Sequence, residues 1–216
     1  MNTTENTVIS RRNRLLGEKM VKNLERRHIR AYYCPTAAEA VSQVLALMPE
    51  GSSVGWGGSE TIRQTGLTRA VGEGNYRVLD RDRADTPERR QDIYRQIFGC
   101  DFFLTSANAI SEDGVIVNID GNGNRVAAIS WGPRQVIFIV GINKVTQDVA
   151  AAVARARSTA APVNAQRFDI DTPCRADGMC HNCKNEDCIC SCIHILRHSR
   201  PAWRNIVVLV GEPLGF

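Results

Sequence analysis

Apolar residues recur along the first half of the chain with the period of a helix, then of a strand, and then of a helix again. Leu16, Met20 and Leu24 stand at i, i+4 and i+8 among charged neighbours, so residues 11–29 read as an amphipathic helix with one buried stripe. The run RAYYC at 30–34 follows as a short strand. Thr36 can cap the next helix with Glu39 at its N3 position, and Ala40, Val41, Val44 and Leu47 supply that helix's apolar face up to the stop at Pro49. A strand over 52–55 leads through Gly57 and Gly58 into Ser59, Glu60 and Thr61, where another helical stretch opens. Residues 76–79 form the next strand, and Thr86, with Pro87 at the first helical position, starts a helix that turns Ile93, Tyr94 and Ile97 inward. This alternation predicts an α/β fold: a mainly parallel sheet flanked by helices.

Beyond residue 100 the pattern changes. Short β-rich runs at 102–105, 115–119, 126–129 and 136–140 are separated by Gly, Asn and Pro signals, which predicts an added β-hairpin region. Residues 146–157, rich in Ala and Val, read as one more helix before the looser stretch 158–166, and a last strand is expected at 206–210. No internal repeat or low-complexity tract interrupts the chain.

Composition narrows the class. A chain of 216 residues, 43% hydrophobic, can bury a full core. No run approaches the ~20 apolar residues of a membrane span, and the first residues lack the apolar region of a signal peptide, so a cytoplasmic protein is expected. The formal charge of +4 is concentrated at the start, where the first 30 residues hold eight Lys/Arg against three Asp/Glu. Without aromatic interleaving this reads as a solvated helix face, and no nucleic-acid partner is expected.

Six of the eight cysteines fall in TPCRADGMCHNCKNEDCICSC. In a reducing compartment such crowding points to metal rather than disulfides. The Cys180-x-x-Cys183 pair lets two sulfurs converge, with Cys174 and Cys190 flanking it at ranges a loop can close. A zinc ribbon would need a second Cys-x-x-Cys pair further along; the short, uneven spacing favours an iron-sulfur cluster over zinc. His181, His194 and His198 are substitute donors. Cys188 and Cys192 are additional thiols without an assigned role.

Two further elements carry polar chemistry. SSVGWGGSETI runs from strand to helix, and its glycines let backbone amides approach an anion such as a phosphate or carboxylate; it is neither a Rossmann fingerprint, since Glu60 stands where a third glycine belongs, nor a P-loop. Trp56 there reads as core. Asp120, Asn122 and Asn124 imitate the start of a calcium loop, but Arg125 replaces the required glycine and Trp131 the chelating Glu. All four histidines lie outside the glycine-rich elements, so an acid or base in a cleft there would be a carboxylate or lysine: Glu60, Glu112, Asp120 or Lys144.

GWGGSETI at 55–62, TSANAISEDGVIVNIDGNGNRVAA at 105–128, VIFIVGINK at 136–144 and TPCRADGMCHNC at 172–183 together resemble the lactate-utilization (LUD) domain family, in its branch with a C-terminal cysteine cluster. The resemblance runs from about residue 10 to the end. It implies a fold like those of ribose-5-phosphate isomerases, glucosamine-phosphate deaminases and CoA transferases, with a ligand cleft at the C-terminal ends of the strands. Its motifs fall on Gly57, Gly58 and Ser59 as a glycine turn, Asn108 and Glu112 in the strand-turn motif, Gly123, Asn124 and Arg125 as a GNR hairpin, and Asn143 and Lys144 after the next strand. These are the expected ligand contacts, with Glu112 and Lys144 the catalytic candidates on their chemistry, and the branch's cysteine pattern implies metal ligation by Cys174, Cys180, Cys183 and Cys190.

The organisation that follows is an N-terminal helix (1–29) packed on a LUD-like α/β domain (30–165), then a cysteine-rich metal-binding segment with the final strand (166–216). The expected function is binding of a small anionic metabolite, or of a nucleotide or other phosphate-bearing ligand, in oxidation of lactate or a related 2-hydroxy acid. In that arrangement Ser59 and its neighbouring amides grip the anion, Arg125 and Lys144 neutralise charge, and Glu112 moves the proton. Two alternatives stand beside it: isomerase, acyl-transfer or ligase chemistry on a phosphorylated, CoA or folate substrate, and a non-catalytic subunit that docks an iron-sulfur redox partner. A homodimer is compatible with either.

Overall fold

The computed structural model describes residues 3–216, with side chains from residue 7 onward. In chain order the strands are β1 (Arg30–Cys34), β2 (Ser53–Trp56), β3 (Arg77–Leu79), β4 (Phe102–Thr105), β5 (Ala109–Ser111), β6 (Ile116–Asp120), β7 (Gln135–Gly141), β8 (Val145–Thr146), β9 (Cys192–Leu196) and β10 (Asn205–Val210). The helices are α1 (Thr3–Glu25), α2 (Ala37–Leu47), α3 (Glu60–Gln64), α4 (Leu67–Glu73), α5 (Pro87–Ile97), α6 (Asn124–Ser130), α7 (Val149–Arg155), α8 (Ala161–Ala165) and α9 (Pro173–Asp177).

A six-stranded sheet in the order β1-β10-β7-β4-β2-β3 forms the centre, and each neighbouring pair in it is parallel. Parallel strands buried on both faces need continuous apolar runs, and β4, β7 and β10 supply them. On one face Phe103, Val136, Phe138 and Val207 pack under Met20 and Leu24 of α1, Ile93 and Ile97 of α5, and Ile129 of α6. On the other, Val54, Trp56, Leu104, Ile137 and Val208 pack under Ala40 and Val44 of α2, Ile62 of α3, and Leu67 and Val71 of α4. Trp56 is core, as its place in a strand suggested. The caps also form as the sequence pattern requires: Thr36 accepts from Glu39 N and Thr86 from Arg89 N. β10, the last strand of the chain, lies between β1 and β7 and pairs with both along its length.

A smaller sheet, β8-β5-β6-β9, stands beside the first. The β5–β6 hairpin supplies its middle, and β9, drawn from the cysteine-rich segment, pairs antiparallel with β6.

Two expectations are corrected. Residues 126–129 are helix α6, not a strand, and Gly123–Asn124–Arg125 opens that helix instead of turning a hairpin. The reason is Asp120: its carboxylate accepts hydrogen bonds from the backbone N–H of Asn122, Gly123, Arg125 and Val126, gathering the unpaired donors of a helix start. Gly123 takes φ +77°, a turn that costs glycine little, and Val126 and Ile129, three apart, then face inward together. Likewise the stretch 158–166 is helical up to Ala165: a π-helical turn, Ala156–Ala160, runs into α8. Ala152, Ala156, Ala160, Ala161 and Ala165 are all buried, and their small side chains let this segment lie close on β5 and β6. Among the described residues, no helix is long and apolar enough to cross a membrane.

Candidate functional site

β2, β4 and β7 are adjacent and parallel, so the segments leaving their C-terminal ends converge: Gly58–Thr61 after β2, Ser106–Asn108 after β4, and Lys144 after β7. Together with Ile119, Arg125, Asn164, Arg167 and Phe216 they enclose a cavity of about 60 Å3. Lys144 is buried among them, with 3% of its surface exposed. Its Nζ is 2.7 Å from Thr61 Oγ1 and 3.1 Å from both Ser106 Oγ and the Ala107 carbonyl, and among the described residues it makes no ion pair. Burial, and then the positive charges of Arg155 and Arg125, depress its pKa to about 7.

Arg125, with its side chain only 15% exposed, leaves the first turn of α6 and enters the same cavity. Its guanidinium donates to Asn118 Oδ1, Asn108 Oδ1 and the Ile119 carbonyl, and it stands 3.7 Å from Asp120, the carboxylate that caps its own helix. Asn118 Nδ2, fully buried beside it, has no hydrogen-bond partner among the described residues. Arg155 of α7 holds the cavity's loops from behind by donating to the carbonyls of Asn108 and Asn143. Arg167 lines the cavity and makes no ion pair among the described residues; it donates to Asn164 Oδ1 and lies over the Phe168 ring. Ser59 caps α3 by accepting from Ile62 N at 3.4 Å. Gly57 packs on Arg125, and a Cβ on Gly58 would meet the Arg81 guanidinium at 2.6 Å. Outward, the cavity opens into a wider compartment of about 430 Å3, which shares Gly58, Arg125 and Arg167 and is walled by Asp120, Phe168, Ile170, Asp187, Cys188 and Ile189.

The expected ligand contacts therefore divide. Gly58, Ser59, Asn108 and Arg125 line the inner cavity with Lys144, and Asn124 lines the outer compartment. Gly57 and Gly123 shape the walls without lining them. Asn143 acts on the chain itself, accepting from Leu214 N and donating to the Gly215 carbonyl, and so straps the C-terminal residues over Lys144. Of the four proton-transfer candidates, Glu60 lines the cavity, but hydrogen bonds from Arg63 hold its carboxyl below the usual range; Asp120 is occupied as a helix cap. Glu112 sits elsewhere: it follows β5 at the end away from the cavity, with its backbone carbonyl accepting from Asn23 of α1. Lys144 lines the cavity and has its pKa moved to near neutrality, where a group can both take and release a proton. The pattern reading missed Thr61, Ser106, Arg155 and Arg167. Hydroxyl residues just past parallel strand ends, and a lone arginine in an alanine-rich helix, were the available signals.

The cysteine segment forms a second cavity, of about 140 Å3, lined by Cys174, Cys180, Cys183, Cys188 and Cys190 together with His181 and Arg157. All four expected ligands are present, and Cys188 is a fifth thiol. Cys192, which opens β9, faces Gly123 of the α6 turn instead. Among the described residues no three His, Cys, Asp or Glu side chains converge closely enough to hold one metal ion. The five thiols are donors of the type that thiolate-bound metal centres use. His181 binds Asp177 at 2.6 Å, and His194 binds Ser130 Oγ at 3.0 Å. Cys188 and Ile189 belong to the walls of both the cysteine cavity and the outer compartment of the cleft.

A mainly parallel sheet whose strand ends carry a buried amine and two nearby guanidiniums, Arg125 and Arg167, defines a protein with a polar ligand cleft at the mouth of its sheet. The chain belongs to the LUD domain family, which it matches over residues 17–210. A DUF162 family protein from Deinococcus radiodurans shares the fold over 92% of this chain and 97% of its own, with 16% identity and a TM-score of 0.55. A ribose 5 phosphate isomerase A from Neisseria gonorrhoeae aligns over 52% of this chain and 54% of its own, at 13% identity and a TM-score of 0.36. No curated protein matches the chain in sequence.

Proposed function

We propose that the cleft binds a small organic anion and that the protein serves in oxidation of lactate or a related 2-hydroxy acid. The observation that carries this reading is Lys144: an amine 3% exposed, under the positive charges of Arg155 and Arg125, held by two hydroxyls and a carbonyl and, among the described residues, by no carboxylate. Buried positive charge without a counter-ion is costly, and an anionic ligand offsets that cost. Arg125 and Arg167 carry permanent charge and would hold the carboxylate. Lys144 takes the proton-transfer role first expected of Glu112, since its pKa of about 7 lets it gain or release a proton near neutrality. Membership of the LUD domain family supports the link to lactate.

Cys174, Cys180, Cys183 and Cys190 are proposed to hold an iron-sulfur cluster, with Cys188 as a spare donor. When bound, such a cluster supplies single-electron transfer, which would connect the chain to a redox partner protein. A second reading is favoured by the outer compartment of about 430 Å3, which exceeds what lactate fills and has Phe168 and Ile170 in its wall. On that reading the ligand is a phosphorylated, CoA or folate compound and the chemistry is isomerase, acyl-transfer or ligase in type.

One anaerobic preparation tests both parts. Lactate and pyruvate should raise its melting temperature in a concentration-dependent way, and iron with broad absorption near ~400 nm should accompany the protein. Stabilisation by phosphosugars, CoA or folates alone would select the second reading, and protein carrying neither iron nor zinc would remove the cluster.

A further inference from the structure

We propose that Lys144 condenses with the carbonyl carbon of a small anionic oxo compound in the inner cavity, forming an imine, and that a 2-oxo acid is the class that fits. This rests on the anion-binding reading of the same cleft and extends it from a held ligand to a covalent one.

The geometry supplies each requirement. Lys144 lines the cavity, and its Nζ lies against two other lining residues, Thr61 and Ser106. Its nearest polar neighbours are Thr61 Oγ1 at 2.7 Å and Ser106 Oγ at 3.1 Å. Hydroxyls can accept from an ammonium or donate to a neutral amine, so both protonation states are accommodated, whereas a carboxylate would lock the amine as a cation. Only the Ala107 carbonyl is purely an acceptor. The groups facing Nζ from the surrounding elements agree: Arg125 from α6 and Arg155 from α7 repel its proton, and Glu60 of α3 is committed to Arg63. An amine relieved of its proton near neutrality is a nucleophile. Arg125 and Arg167 lie on the same cavity and would hold the guest's carboxylate, leaving its adjacent carbonyl toward Nζ. The inner cavity's ~60 Å3 restricts the reacting part to a few heavy atoms. The cover is close: a Cβ on Gly215 would come within 3.1 Å of Nζ, so glycine there leaves the amine its space.

The step balances without a redox partner. The Nζ lone pair forms a bond to the carbonyl carbon as the C=O π pair moves to oxygen. That oxygen takes a proton relayed from the attacking nitrogen through Ser106 or Thr61. Loss of the resulting hydroxyl with a second proton, as water, lets the nitrogen pair close the C=N bond. Amine and carbonyl become imine and water.

The test uses the intact wild-type protein incubated with pyruvate and cyanoborohydride near neutral pH, digested and mapped by mass spectrometry. The other lysines, Lys19, Lys22 and Lys184, serve as internal controls. Reduced adduct at Lys144 is expected to exceed that at each of them by about tenfold or more, and to fall when lactate, which has no carbonyl to condense, competes. Adduct spread evenly over the lysines, or absent from Lys144, overturns the proposal. Lactate raising the melting temperature in the same preparation would then show that the anion reading survives and only the covalent step fails; no effect of lactate and no adduct would sink both.

Discussion

Lys144 faces opposite demands at the two ends of its titration. Unfolded, the amine keeps its proton up to about 10.5; folded, burial and the guanidiniums of Arg155 and Arg125 drive it off near 7. Between those values the unfolded chain binds more protons than the folded one, so this residue makes stability rise with pH, and below about 7 its full charge-burial cost is present. Burial lowers the pKa values of Arg125 and Arg155 as well, which acts in the same direction, and Glu60, whose pKa is lowered by Arg63, stays ionised near neutrality, so none of them reverses the trend. Lys144→Met should flatten it: the variant gains stability relative to wild type below pH ~7 and loses that advantage at alkaline pH, as read from melting temperatures across the range. Identical pH profiles would mean that the amine is solvated and the cleft uncharged. None of this was visible in GINK as a string of residues. A lysine after an apolar strand is ordinarily exposed, and what buries this one is Thr61, Ser106 and the strapped residues around Gly215, all distant in sequence.

Elements defined by local chemistry were legible before the fold was known. Thr36 with Glu39, and Thr86 with Pro87, start helices wherever they stand, and β4, β7 and β10 are apolar runs that only a buried parallel strand accommodates. α6 was not legible, because Val126 and Ile129 carry strand propensity and the signal that overrides them, Asp120, lies outside the helix. Its carboxylate organises the helix start and orients Arg125 into the cleft in one arrangement. Asp120→Ala should therefore cost about 1–2 kcal/mol in chemical denaturation, the size of a lost cap, and should also weaken anion binding by releasing Arg125. Loss of stability with affinity intact would separate the cap from the site. β9 escaped notice for a similar reason: Cys192–Leu196 alternates modestly, and its strand identity comes from pairing with β6.

At the scale of the molecule, three parallel strands bring residues from opposite ends of the chain to one mouth, and the cysteine segment folds back to form its outer wall. Gly121 shows how close that wall lies: a Cβ there would come 3.2 Å from the Ile189 backbone. The glycine turn and the GNR motif pointed to the cleft because both sit at strand ends, whereas Arg155 and Arg167 reach it only through the packing of α7 and α8. The five thiols around one cavity were foreshadowed by their crowding in sequence, but which of the extra pair joins them was not: Cys188 does, and Cys192 turns to α6. All of these features meet in a cleft whose positive charge awaits a partner. The most direct measurement is a calorimetric titration of lactate into wild type and Lys144→Met, on either side of pH 7. Binding to wild type that tightens as pH falls and Lys144 gains its proton, with about tenfold or greater loss in the variant at the lower pH, is the predicted result. Equal affinities in the two proteins at both pH values, or no heat of binding in either, would contradict it.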